Sequence, residues 1–311
     1  MPGQHILIIG AGAIGSVIAA RLTSAGSNIT LVARNRRLAH LRDRPVELAS
    51  GKLVETVMVQ AADWDGLRSQ ADVCILCTKT GDLAEALTTV AAHLAPAPLV
   101  ITLQNGVDAP GQAASALPGS AVVAGRVHGF FELVGSGVRH VGVTPSVELG
   151  GINPDGRHRE REAVDILARA GFSARASDNI IRELWKKLML TAGLGAVGAA
   201  LGVPAGQVLD APCGRALLRA ALAELASVGN ACGASLRTDD IDQALAFIAG
   251  FPSGATTSLQ RDLAHEARSE YTELVGTVIR LASVHGQPVP TFAKLDARIR
   301  RRFPALASAS P

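Results

Sequence analysis

Short apolar runs alternate with helical patterns through the first half of the chain. The runs are Ile6–Ile9, Ile29–Val32, Val73–Cys77, Leu99–Leu103 and Ala121–Ala124. Each is nearly continuous in apolar residues, as in strands buried on both faces. Between them, Ile14–Ala25 and Leu83–Leu94 are apolar at helical spacing. This alternation predicts a parallel sheet with helices on both sides. Val138–Leu149 reads as two short β segments around a Gly142-Val143-Thr144-Pro145 turn, extending the sheet or capping its edge. Ala163–Ala170 reads as the last helix of this half. The character changes near Ser177-Asp178-Asn179, and from Ile180 onward only helical periodicity is found. Leu217–Ala231, one long helix over Ser258–His285 and a final helix over Thr291–Arg301 follow. The pattern predicts an α/β domain with a parallel-rich sheet at 1–177 and an all-α domain at 178–311.

The first strand ends in Gly10-Ala11-Gly12-Ala13-Ile14-Gly15. A lone GxGxxG is weak, but here it leaves a strand, opens an apolar helix and leads to a second strand. Gly10 suits the tight turn, Gly12 the approach of a pyrophosphate, and Gly15 the close packing of helix on strand. Free N–H groups at the helix start favour the phosphates. The second strand ends without the carboxylate that binds a ribose 2′-hydroxyl. Ala33-Arg34-Asn35-Arg36-Arg37 stands there instead. A guanidinium fork matches a 2′-phosphate, so NADP(H) is expected over NAD(H), with Arg34 first and Arg36 or Arg37 in support. The competing reading is a helix start that happens to be basic.

Composition adds bounds. The 311 residues suit two domains. The 48% apolar share is largely alanine and only 3% is aromatic, which favours close helix packing. A net charge of +3 is too mild to imply nucleic acid. Cys74 and Cys77 have redox-motif spacing but fall on a strand, where residues three apart face opposite ways. They read as buried thiols that share no metal, in a reducing cytoplasm, and no metal site is expected. The chain enters a strand within four residues of Met1, which argues against a leader. Leu188–Leu209 is uncharged but rich in glycine, and reads as a buried helix and not a membrane span. The helical half carries more apolar surface than one layer of helices hides, so a homodimer is expected.

Further landmarks align with these. Thr78-Lys79-Thr80 follows the Val73–Cys77 strand and Gln104-Asn105-Gly106 the next. Leu184-Trp185-Lys186-Lys187-Leu188 opens the helical half. Ser258, Asp262 and Glu270 precede His285-Gly286-Gln287-Pro288-Val289-Pro290. In order and spacing, over nearly the whole chain, these resemble the ketopantoate reductase (2-dehydropantoate 2-reductase) family. The resemblance implies a Rossmann-type domain, a helical domain and an active site in the cleft between them. There NADPH gives a hydride to the C2 ketone of a small branched 2-oxo acid. It implies Lys187 as general acid, Lys79 and Asn105 lining the cleft beside cofactor and substrate, and Ser258 and Glu270 binding substrate. The residues themselves agree in part. Developing charge on the ketone oxygen needs a proton donor or cation, and Lys187 sits in an apolar, tryptophan-flanked segment. Asp262, Glu266 and Glu270 recur every four residues as an acidic stripe, ordinarily a solvated face.

One departure stands out. The family pattern implies asparagines four and eight residues after the lysine, sharing its face. Here they are Thr191 and Gly195. Threonine keeps one hydroxyl for substrate, whereas glycine offers nothing and is expected to leave space for a different or bulkier 2-oxo acid. The alternatives are a family paralogue acting on another carbonyl or imine, and a non-catalytic NADPH sensor.

Overall fold

The computed structural model describes residues 3–51, 53–67, 70–135, 137–265 and 269–307. It divides into two compact units. One comprises Met1–Gln104 with Asp108–Ile180, the other Asn105–Val107 with Ile181–Pro311.

The first unit is built on a ten-stranded sheet: β1 (His5–Ile9), β2 (Asn28–Val32), β3 (Val46–Ser50), β4 (Leu53–Val57), β5 (Ala61–Ala62), β6 (Ala71–Leu76), β7 (Leu94–Thr102), β8 (Ala121–Val134), β9 (Gly137–Gly151) and β10 (Ser173–Ala176). The order is β4-β3-β9-β8-β7-β6-β1-β2-β5, with β10 beside β9. From β5 through β8 every neighbouring pair is parallel. The apolar runs are continuous because both faces are covered. Ile6 and Ile8 enter one apolar layer, Leu7 and Ile9 the other. The chain leaves β1 for β2 on one side and returns to β6 on the other. That reversal opens a crevice at the carboxyl ends of the strands.

Three expectations change here. The hairpin β3–β4 lies in a segment that the apolar runs passed over. Its signal was the weaker alternation of buried Val46 and Leu48 with exposed Glu47. Residues 138–149 form a single strand, not two segments about a turn. Val141 pairs with Phe130 and Ser146 with His128, so residues 142–145 bulge opposite Gly129 while the ladder continues on both sides. The helix at Leu83 stops at Val90, because His93 closes a 3₁₀ turn and β7 begins at Leu94.

The second unit is helical, and its core holds the fully buried Trp185, Tyr271 and Phe292. Its first helix runs from Ile180 to Leu201 and is long and apolar enough to cross a membrane, but 72% of its most apolar window is buried within the protein. Its glycines serve packing. A Cβ at Gly198 would lie 2.6 Å from Gln260 Nε2, whose own amide donates to the Val203 carbonyl. The long helix expected over Ser258–His285 is broken. Ser258–Ala264 ends where the His265 ring meets the Arg261 carbonyl, and a π-helical turn at Thr272–Gly276 leads into Thr277–Val284. The acidic stripe does not survive the break, and Glu266 lies outside the described residues. Among the described residues the large exposed hydrophobics of this half are Phe247 and Val284, whereas Leu53, Val54, Met58, Phe130, Leu133, Val134, Val141 and Val143 are exposed on or beside the sheet. Around the helical core, Ile181, Leu190, Leu217, Phe251 and Leu281 remain partly buried.

Asp240 anchors the start of this unit. Its carboxylate, 1% exposed, accepts two bonds from Arg182 Nη2 (2.8 and 2.9 Å) and one from the Arg237 N–H. Burial alone would raise the acid's pKa. The Arg182 and Arg237 bonds outweigh burial and hold it below the usual carboxylate range. A depressed acid stabilises the fold above its unfolded pKa, and that contribution fades as pH falls through the folded value. Asp240→Ala is expected to cost about 3 kcal/mol by stranding the guanidinium, and to flatten the acid limb of stability below about pH 4. Urea melts at pH 3 to 7 read both. An unchanged acid limb would count against the assignment.

Candidate active site

The crevice at the strand ends is a cavity of about 280 Å³ in the first unit. Ile9, Val32 and Cys77 bring it to the ends of β1, β2 and β6. Gly10, Ala11 and Gly12 form its floor, and Arg34, Arg37, Trp64, Lys79, Asp82 and Glu85 stand around it. The glycines divide the work by geometry. Gly10 has φ +106°, where a side chain is strained, and a Cβ would sit 2.8 Å from the Thr78 nitrogen. Gly15 brings the helix Ala13–Ser24 against the turn, where a Cβ would fall 2.0 Å from the Gly10 carbonyl oxygen. Gly12 has nothing within 4 Å of that position. It precedes the helix and leaves its backbone open to a ligand. Bare backbone at a helix start fits the pyrophosphate of a dinucleotide.

Ala13, Ile14 and Gly15 do not line the cavity. They form the first helical turn behind the loop. Of the three arginines, Arg34 and Arg37 reach the cavity and Arg36 does not. Arg37 donates from Nε to the Ala11 carbonyl (3.1 Å) and from Nη2 to Ser16 Oγ (2.9 Å), and burial lowers its pKa. It braces the glycine loop, which leaves Arg34 as the more exposed cation. Trp64, Asp82 and Glu85 escaped the sequence reading. Trp64 belongs to a 3₁₀ turn after a two-residue strand, and neither carboxylate belongs to a recognisable spacing. Cys74 and Cys77 are free thiols. Burial raises both, Cys77 to about 12, so both are neutral thiols.

In the helical unit, Asn105 Nδ2 donates to Glu270 Oε2 at 3.0 Å, across 165 residues of sequence. Lys187 is half-buried, between buried Trp185 and Leu188. One turn on, Thr191 Oγ1 donates to the Lys187 backbone carbonyl at 3.2 Å. The hydroxyl expected to face substrate thus spends its proton on its own helix. From Met189 to Leu194 the helix widens to π geometry, which shifts the face that follows. Gly195 opens no space. A Cβ there would meet Leu259 Cδ2 at 3.2 Å and Thr257 Oγ1 at 3.3 Å, so the start of the helix Ser258–Ala264 already fills the position. Ser258 is exposed in the first turn of the helix that Thr257 and Gln260 cap. Lys79 lines the dinucleotide cavity, whereas Asn105 groups with the helical unit.

Residues 6–154 match the family profile described as ketopantoate reductase PanE/ApbA, and residues 179–302 match its C-terminal counterpart. The chain belongs to the ketopantoate reductase family. It is an NADP-dependent oxidoreductase of the 2-dehydropantoate 2-reductase type. The 2-dehydropantoate 2-reductase of Halobacterium salinarum is 26% identical over 306 residues, covering 96% of this chain and 98% of that one. The crystal structure of a family ketopantoate reductase from Ralstonia eutropha JMP134 is 28% identical. It superposes with a TM-score of 0.85 over 96% of this chain and 97% of that one. A D-mandelate dehydrogenase solved with NADH and anilino(oxo)acetate is 18% identical with a TM-score of 0.88, over 98% of this chain and all of that one. It shares the fold.

Proposed function

We propose that this ketopantoate reductase family member reduces the C2 ketone of 2-dehydropantoate to (R)-pantoate, supplying pantothenate and coenzyme A synthesis in the cytoplasm. The observation that carries the reading is the Asn105–Glu270 hydrogen bond. Two residues that the family pattern assigns to the cleft, far apart in sequence, meet within 3.0 Å. When bound, NADPH supplies the hydride that adds to C2. The electron pair of the C=O bond moves onto oxygen, which needs a proton and a positive charge nearby. Lys187 is the proton donor of this reading, its Nζ ammonium giving one proton to that oxygen. Glu270, acceptor-only when ionised, suits a substrate hydroxyl, and Asn105 fixes one of its oxygens. Ser258 is the further hydroxyl assigned to substrate, and Lys79 the cation at the dinucleotide end.

A second reading has specific support. Thr191 turns its hydroxyl proton to the Lys187 carbonyl and the Gly195 position is filled by Leu259, so neither supplies an amide to substrate. A missing hydrogen bond costs roughly 0.5–1.5 kcal/mol, which favours a related 2-oxo acid with fewer polar groups. NADPH oxidation across a panel of 2-oxo acids separates the two. Highest kcat/KM on 2-dehydropantoate supports the first reading, and a better rate on an apolar 2-oxo acid replaces it with the second. No turnover on any member would overturn both in favour of a binding-only role.

A further inference from the structure

Arg34 does not face the cavity alone. Its Nη1 lies 3.2 Å from Glu85 Oε2 and 3.3 Å from Oε1, and its Nη2 lies 3.5 Å from Asp82 Oδ1. All three residues line the dinucleotide cavity. Arg37 is committed to Ala11 and Ser16 behind the glycine loop. The guanidinium offered to a 2′-phosphate is therefore already shared with two carboxylates.

A 2′-phosphate brings about −1.5 to −2 charges, so it competes with those carboxylates for one cation and is repelled by them. A 2′-hydroxyl meets no such conflict, because a carboxylate accepts its hydrogen bond. The two acids differ in reach. Glu85, on the first turn of Leu83–Val90, brings both carboxylate oxygens within 3.3 Å of Arg34 Nη1. Asp82 stands farther off, at 3.5 Å from Nη2. We propose that Glu85, seconded by Asp82, sets the choice between 2′-phosphorylated and 2′-hydroxyl nucleotides in this chain by competing for Arg34. Discrimination against NADH is accordingly weaker than an arginine at the end of β2 implies. This deepens the reading of Arg34 as the 2′-phosphate ligand and rests on it.

The test is equilibrium binding of 2′,5′-ADP and 5′-ADP by calorimetry, with the intact chain, Glu85→Gln and Arg34→Gln. Both substitutions are at exposed positions, and thermal melts check folding. Glu85→Gln is expected to tighten 2′,5′-ADP about fivefold, the scale of an exposed charge pair, without tightening 5′-ADP. A selectivity ratio that stays constant or falls in Glu85→Gln overturns the inference. Arg34→Gln tells the two failures apart. If it collapses the ratio while Glu85→Gln changes nothing, only the role of Glu85 is lost. If it leaves the ratio intact, Arg34 is not the 2′-phosphate ligand and both fall.

Discussion

Lys187→Ala is expected to lower kcat by about 10²–10⁴, the range for loss of a positioned general acid, while NADPH still titrates to its wild-type affinity. The argument starts from the reaction. Hydride addition to a ketone leaves an alkoxide unless a proton arrives, and the family pattern gives that proton to the second lysine of Trp185-Lys186-Lys187. Lys186, next to it on the helix Ile180–Leu188, pairs through Nζ with Glu183 Oε1 at 3.1 Å. Lys187 is half-buried on the same helix, between two core residues, so its backbone is fixed whatever its side chain does. Truncation should therefore remove chemistry without removing structure. Single-turnover kinetics, NADPH fluorescence titration and a thermal melt read the three quantities separately. A variant that keeps its kcat would remove Lys187 from the mechanism. One that loses NADPH binding in parallel would make it a structural residue.

The second large effect comes from two glycines of one loop that should fail in opposite ways. Gly12→Val is expected to melt like the parent chain, because nothing lies within 4 Å of its Cβ position. It should nevertheless bind dinucleotide about 100-fold more weakly, since the new side chain keeps the phosphates from the backbone N–H groups. Gly15→Ala meets the Gly10 carbonyl oxygen at 2.0 Å. It should cost about 1–3 kcal/mol through overpacking, and lose binding only as the loop is displaced. Paired melts and titrations decide. If Gly12→Val also destabilises the fold, or Gly15→Ala melts normally, the division of labour in the loop is wrong.

Much of this molecule is local in origin. The strand, GxGxxG turn and apolar helix are written within residues 5–24, because a tight turn, a backbone approach and a close helix each demand glycine at one position. The parallel core was legible for the same reason: strands covered on both faces must be apolar throughout. The β3–β4 hairpin was harder to see, since one buried face leaves only a two-residue alternation. Gly142 and Pro145 suit a turn between two β segments as well as a bulge within one strand, and only the partner strand β8 decides for the bulge.

The dinucleotide unit, the change from α/β to all-α, and the family that the spaced lysines, asparagine and glutamate resemble can all be read from the chain of residues alone. Each rests on short-range periodicity or on residue types that few environments accept. The tertiary structure alone decided what surrounds those residues. It brought Asn105 to Glu270, turned Thr191 back onto its own helix and filled the Gly195 position with Leu259. It also set Asp82 and Glu85 against Arg34. These outcomes depend on how separate elements pack and on which charges that packing brings within a few ångströms, and no spacing along one segment encodes them.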